Sequence, residues 1–309
     1  MTAARVFRGA DWLGDRALAR QTTRASRWGD DGGVRPRAWW AGLSRPRRVF
    51  ASAVAAIVLV VVVVVGVRVA TGSGPDAPAG LPNQATPGPV LLVPGYGGNT
   101  AALTTLAGHL RAAGRVADVV SLPGDGTGDL LAQVDTLNTA VDNALAGGAT
   151  SVDVVGYSAG GLVTRLWVAR YAGEHRARRV VTLGAPLHGT SLASAGAALV
   201  PGACPLACQQ LAPSSALLRG VDAQALPAGL PWLSVWTDDD QTVTPPDSAR
   251  LPGAVNVPVQ QVCPGLQVSH SGLPANPLVT GIVLAALDSP VLSAPTAAQC
   301  QALTAAGRG

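Results

Sequence analysis

The chain has 309 residues, 48% of them hydrophobic and 13% charged, enough for one sizeable core with appendages. It contains no lysine, and its net charge of +4 is unevenly placed: residues 1–48 hold eleven Arg against four Asp, residues 71–309 ten Arg against fourteen Asp and Glu. The basic character belongs to the tail; an apolar run follows it directly, which disfavours a nucleic-acid partner.

Residues 1–48 are rich in Arg, Gly and Trp without a sustained period, and read as a disordered basic tail. Val49 to Val67 is nineteen residues without a charge, including the unbroken run Val60–Val65, which is long enough to cross a bilayer. The expectation is one transmembrane helix over 49–70, with Arg68 reaching the headgroups at its far end. The Arg-rich flank places the tail in the cytoplasm and the rest of the chain outside. Arg47-Arg48-Val49-Phe50 also resembles a twin-arginine export signal, with Ala77-Pro78-Ala79 as a small-residue cleavage pattern. The gap from Ala70 to Ala79 is long for a signal peptide, which favours a single-pass anchor over export with cleavage. Residues 71–89 are rich in Gly, Pro and Ala and read as a linker, leaving 90–309 as the folded domain.

In that domain Val90–Val93 reads as a buried strand, followed by Pro94-Gly95-Tyr96-Gly97-Gly98. Thr100–Ala113 reads as a helix with Leu103, Leu106 and Leu110 on one face, stopped by Gly114. A strand over Val116–Leu122, a helix over Asp129–Leu145, a strand over Val152–Tyr157 and a helix over Gly161–Tyr171 follow. Val180–Leu183, Trp232–Trp236 and Val255–Val259 read as further strands, and Pro277–Leu287 as a last helix. Alternation of this kind implies βαβ units and a mostly parallel sheet with helices on both faces. Ligands then bind at the carboxyl ends of the strands.

Gly156-Tyr157-Ser158-Ala159-Gly160 sits between a strand and a helix, the context of a nucleophile elbow. A serine on so sharp a turn is strained and stands clear of the sheet, and the flanking glycines avoid a collision. A serine hydroxyl needs a general base, and the base an orienting acid. Of the four histidines, His109 reads as mid-helix and His175 as a polar turn, both at the surface, and His188 as a pocket wall. His270, in a loop after the last strand, is the expected base. Asp238, Asp239 and Asp240 end the strand at Trp236, and strand geometry alone does not choose among them. The backbone N–H groups of Tyr96 and Ala159 are the expected oxyanion donors. No metal or cofactor site is evident. Four cysteines allow three pairings, of which Cys204–Cys208 with Cys263–Cys300 is expected.

These motifs, with Thr182-Leu183-Gly184-Ala185-Pro186, His188-Gly189-Thr190 and Ser269-His270-Ser271-Gly272-Leu273, resemble the secreted serine lipases of the α/β-hydrolase superfamily, near the bacterial class 2 triacylglycerol lipases. The likeness runs from about Val90 to Leu287 and implies the α/β-hydrolase fold. It implies Asp240 as the acid, from the Asp240-x-x-Val243 turn, and His270 as the base. The family often has His-Gly where Pro94-Gly95 stands and His where Tyr157 stands, which bears on substrate preference. Thr190–Pro231 is longer than a plain connection and carries Ala197, Ala198, Leu199, Val200, Leu211, Leu217 and Leu218; it is expected to form an apolar cap or a disulfide-pinned insertion. The expected activity is carboxylic ester hydrolysis on a lipid or ester substrate at the membrane face. The rivals are an acyltransferase with the same side chains and a non-catalytic scaffold.

Overall fold

The structure, a computed structural model, describes residues 44–70, 80–199 and 201–309. The chain divides after residue 73 into two units, taken separately. Residues 1–43 of the tail expected over 1–48, most of the expected linker (71–79), the Ala77–Ala79 cleavage pattern and Val200 lie outside the described residues; the last four residues of that tail, 45–48, are helical rather than disordered.

In the first unit Arg45–Ala70 is a helix, α1. The expected membrane-spanning segment over 49–70 is corrected: among the described residues no helix is long and apolar enough to cross a membrane. The anchor, the membrane as a partner, the single-pass placement and the orientation inferred from the arginine flank lose their basis with it.

The second unit is built on six parallel strands in the order β2-β1-β3-β4-β5-β6. They are β1 (Val90–Val93), β2 (Ala117–Val119), β3 (Val152–Tyr157), β4 (Ala177–Leu183), β5 (Trp232–Trp236) and β6 (Val255–Pro258). The helices are α2 (Ala101–Ala112), α3 (Leu130–Ala146), α4 (Ala159–Tyr171), α5 (Ser191–Leu199), α6 (Leu206–Gln210), α7 (Ala216–Asp222), α8 (Val259–Val262), α9 (Pro277–Asp288) and α10 (Cys300–Ala306). β1 reads as an unbroken apolar run because both of its faces are covered. Leu91, Val93, Val154 and Val180 pack under α3 and α4. Leu92, Val155, Val181 and Leu183 pack under α2 and α9. Asp129 caps α3 through Leu131 N–H, and Asn276 caps α9 through Leu278 N–H.

Two strands differ from expectation. β2 is only three residues long, because it is an edge strand with Val116 and Asp118 exposed. β4 begins at Ala177 and includes Arg178 and Arg179, both buried. Those two charges are accommodated by a knot at the amino ends of the strands. Asp153, wholly buried in β3, accepts from Arg178 Nε at 2.9 Å, from Arg178 Nη2 and from Arg115 Nη2. Arg178 also donates to the carbonyls of Leu287 and Gln84, and Arg179 to those of Ala286 and Pro290. The guanidinium groups thus satisfy carbonyls at the end of α9 that the helix leaves unpaired. Residues 80–89, expected as linker, are drawn into this base through Gln84 and Gly88.

The long connection after β4 folds into α5, α6 and α7. Thr190 Oγ1 donates to Thr242 O, and Ser191 N–H to Thr244 O, at one end. Gln210 holds Leu130 N–H and Asp129, and Ala207 N–H donates to Thr127 O, at the other. The disulfides are Cys204–Cys208 and Cys263–Cys300, the expected pairing.

Removing the carboxylate of Asp153 takes from the buried Arg178 its carboxylate partner, and from Arg115 one of two, the other being Asp288. Asp153→Ala should therefore cost about 3–5 kcal/mol of stability, read as a lowered denaturant midpoint.

Candidate active site

β1 is followed by β2 on one side of it, and the chain then returns to place β3 on the other side. A crevice at the carboxyl ends of the strands opens where the order reverses in this way. Ser158 stands at the end of β3, beside the loop that leaves β1. Its backbone has φ 53° and ψ −128°, a sparsely populated conformation costing about 1–3 kcal/mol, held by a bond from Ser158 N–H to Leu183 O at 2.9 Å. The elbow is crowded: a Cβ on Gly160 would lie 2.2 Å from Val93 O, and one on Gly156 2.6 Å from Gly161 Cα. α4 begins at Ala159 rather than Gly161, so its first amide sits beside the serine.

The fold brings the side chains of Ser158, His270 and Asp240 together. His270 Nε2 is 2.9 Å from Ser158 Oγ, and His270 Nδ1 is 2.6 Å from Asp240 Oδ2. His270 and Asp240 are buried. The other Asp240 oxygen, Oδ1, accepts from the N–H groups of Thr242 and Val243, each at 2.8 Å. The carboxylate is thus fixed at both oxygens, with Oδ2 facing the imidazole. His270 starts a short 3₁₀ turn whose cap is Ser269, bonded to Gly272 N–H. The Nδ1···Oδ2 contact fits the tautomer with Nδ1 protonated and Nε2 free to accept from the serine.

Ala159 follows the serine as the first residue of α4, and Tyr96 lies on the loop that leaves β1. A Cβ on Gly95 would lie 2.9 Å from Ser158 Cβ, so the backbone before Tyr96 lies against Ser158. The loop is tied down by Gly98 N–H to Gly95 O and by Gly97 N–H to Gly126 O. Among the described residues neither the Tyr96 nor the Ala159 amide donates to a loop or turn acceptor.

Three supporting positions were not legible as such in the sequence. Gly184, with φ 53°, closes the carboxyl end of β4; a Cβ there would meet Leu273 Cδ1 at 2.7 Å and His270 Nδ1 at 3.1 Å. Only its place directly after a strand hinted at this. The Tyr157 hydroxyl donates to His270 O at 3.3 Å, and its ring lies 5.3 Å from the imidazole. Burial, with the Asp240 charge second, pushes the Tyr157 phenol up to about 12. Arg165 is buried and holds Asp222 at 2.6 Å and the carbonyls of Leu187 and Val221. His188 lies between Asp222 Oδ1 at 2.8 Å and Arg250 O at 3.0 Å, so it serves this tie between β4 and α7. His109 is half-buried on α2, and His175 meets Gly80 O at 3.4 Å. Among the described residues no group of three or more His, Cys, Asp or Glu is arranged to hold a metal.

Gly184→Ala forces a side chain into left-handed backbone and against the imidazole. It should cost roughly 1–2 kcal/mol in strain and displace His270 from Ser158. Calorimetry and the His270 NMR shifts check the two effects. The raised Tyr157 pKa makes a second expectation. Its contribution to stability is whole below pH 10, the ordinary tyrosine value, and is lost as the pH rises towards about 12. Tyr157→Phe should lack that part of the alkaline loss in a pH series of unfolding curves.

A family model of palmitoyl protein thioesterase matches residues 89–229, a stretch that includes Ser158 and ends before Asp240 and His270. No curated protein matches the chain. Among solved structures, lipase B of Aspergillus fumigatus superposes with a TM-score of 0.55 at 21% identity, over 70% of this chain and 56% of that one. Mature lipase BlEst2 of Bacillus licheniformis gives 0.54 at 19% identity, over 68% of this chain and 95% of that one. The chain thus spans about half the length of the Aspergillus lipase and nearly all of the mature Bacillus one. The resemblance to membrane-anchored class 2 triacylglycerol lipases is corrected accordingly. No described helix can serve as the anchor, and the matching family model is the thioesterase one. What the likeness establishes is the fold alone: the second unit has the α/β-hydrolase fold, a parallel sheet flanked by helices.

Proposed function

We propose that the chain is a serine ester hydrolase acting on a lipid or other carboxylic ester through an acyl-enzyme. The observation that carries this reading is the Ser158–His270–Asp240 chain of contacts, 2.9 Å and 2.6 Å long, at a strained elbow on the reversal point of the sheet. Ser158 Oγ attacks the ester carbonyl carbon as His270 Nε2 takes its proton. Asp240 keeps the imidazole in the accepting tautomer and favours the imidazolium that forms. The N–H groups of Tyr96 and Ala159 receive the carbonyl oxygen as it gains charge, each worth about 2.7–4 kcal/mol where such donors have been removed. His270 then gives its proton to the leaving alcohol, and a water activated by the same nitrogen releases the acyl group. The insertion carrying α5 to α7 bridges the Thr242–Thr244 and Thr127–Asp129 segments, and Leu192, Leu199 and Leu206 are exposed on it. That suits an acyl chain lying across the site.

The thioesterase family match favours a second reading, in which the acyl group arrives on sulfur. The same residues serve it, because attack and oxyanion stabilisation are unchanged and only the leaving atom differs. A panel of oxygen esters and thioesters of rising acyl length, turned over by the full chain, separates the two; added glycerol tests for transfer to an alcohol. Ser158→Ala should lower kcat on the order of 10⁶-fold while leaving the unfolding temperature within a few degrees. Undiminished turnover in that variant would sink the reading.

A further inference from the structure

The turn after β5 carries three consecutive carboxylates, and only Asp240 faces His270. No strand pairing joins that turn to the loop ahead of His270; β5 has ended at Trp236 and β6 at Pro258. Two side chains do. Gln260, half-buried on α8, accepts from Asp238 N–H through Oε1 at 3.0 Å. Its Nε2 lies 2.9 Å from Thr237 Oγ1, 3.2 Å from Asp239 Oδ2 and 3.1 Å from Leu266 O. Thr237, wholly buried, donates its hydroxyl to Val268 O at 2.8 Å and accepts from Asp239 N–H at 3.2 Å. α8 is itself held, because Cys263 at its end is bonded to Cys300 at the start of α10.

The consequence for the three carboxylates is specific. Asp238 is bound by its backbone, and Asp239 is turned outward to Gln260 and Val268 N–H. Asp240 is the one left to turn inward. We propose that Gln260 is a positioning residue, holding the 237–240 turn against the 266–269 loop so that Asp240 Oδ2 and His270 Nδ1 meet. Its effect on rate rests on the serine-hydrolase reading; its effect on the Asp240–His270 contact does not.

The test compares Gln260→Met, similar in length but without the amide, and Gln260→Glu, which keeps the acceptor and turns an oxygen towards Asp239. Both are made in the full chain. Each should lower kcat about 10- to 100-fold with KM within about twofold, the size expected when a reacting group is displaced by an ångström. In both, the proton and nitrogen shifts of His270 Nδ1–H should move from their wild-type values. Unfolding temperatures give the control. Variants that unfold earlier but keep wild-type kcat per folded molecule and unmoved His270 shifts would overturn the proposal, because Gln260 would then be packing alone. Should the wild-type chain turn over no ester or thioester, the hydrolase reading fails separately. The His270 shifts would still decide: moved shifts support the role of Gln260, and unmoved shifts end it.

Discussion

The register of β3, β4 and β5 governs the arrangement at the carboxyl edge. Tyr157 pairs with Leu183, and Leu183 with Val235, so Ser158, Gly184 and Trp236 follow in one row. Neighbouring strands lie ~4.8 Å apart, which puts the serine and the end of β5 two strand widths, ~10 Å, from each other. An imidazole passing over the middle strand can bridge that interval, provided the middle position has no side chain. Gly184 occupies that position. A single-residue slip in this ladder would point each of these groups to another face.

The layers on either side keep the row still. α3 and α4 close one face of the sheet, and α2 and α9 the other, with strand side chains alternating between two apolar clusters. The strained backbone at Ser158 persists because Gly160 is wedged against Val93 and Pro94, leaving the elbow no room to relax. At the opposite edge the buried Asp153 draws arginines from two different segments onto one carboxylate. The carboxyl edge with Ser158 and the charged base are therefore separated by the length of the strands.

The parts of this that were legible in the sequence are those with a local signature. A strand, G-x-S-x-G and a helix mark the elbow by spacing alone, and the apolar runs of β1, β3 and β5 mark buried parallel strands. His270 could be singled out because four histidines exist and three sit in unsuitable places. Asp240 could not be separated from Asp238 and Asp239 by strand geometry, since Gln260, which bonds Asp238 N–H and Asp239 Oδ2, stands on α8, 21 positions after Asp239. β4 was read as starting at Val180 because Arg178 and Arg179 look like surface residues; their burial depends on Asp153, 25 positions earlier, and on the end of α9. Valine-rich composition over 49–67 was read as a membrane span, which the described part of α1 does not support.

The knot under the sheet bears on where this unit can be cut. Gln84 receives Arg179 Nε and returns its own amide to Arg178 O, and Gly88 O takes a bond from Arg115. Leu81 lies against Gly229, and Gly80 O against His175. Ten residues that look like a tether by composition thus act as the floor beneath the amino ends of the strands. A recombinant piece begun at Val90 would keep Ser158, Asp240 and His270, yet expose charged side chains whose partners had been left behind.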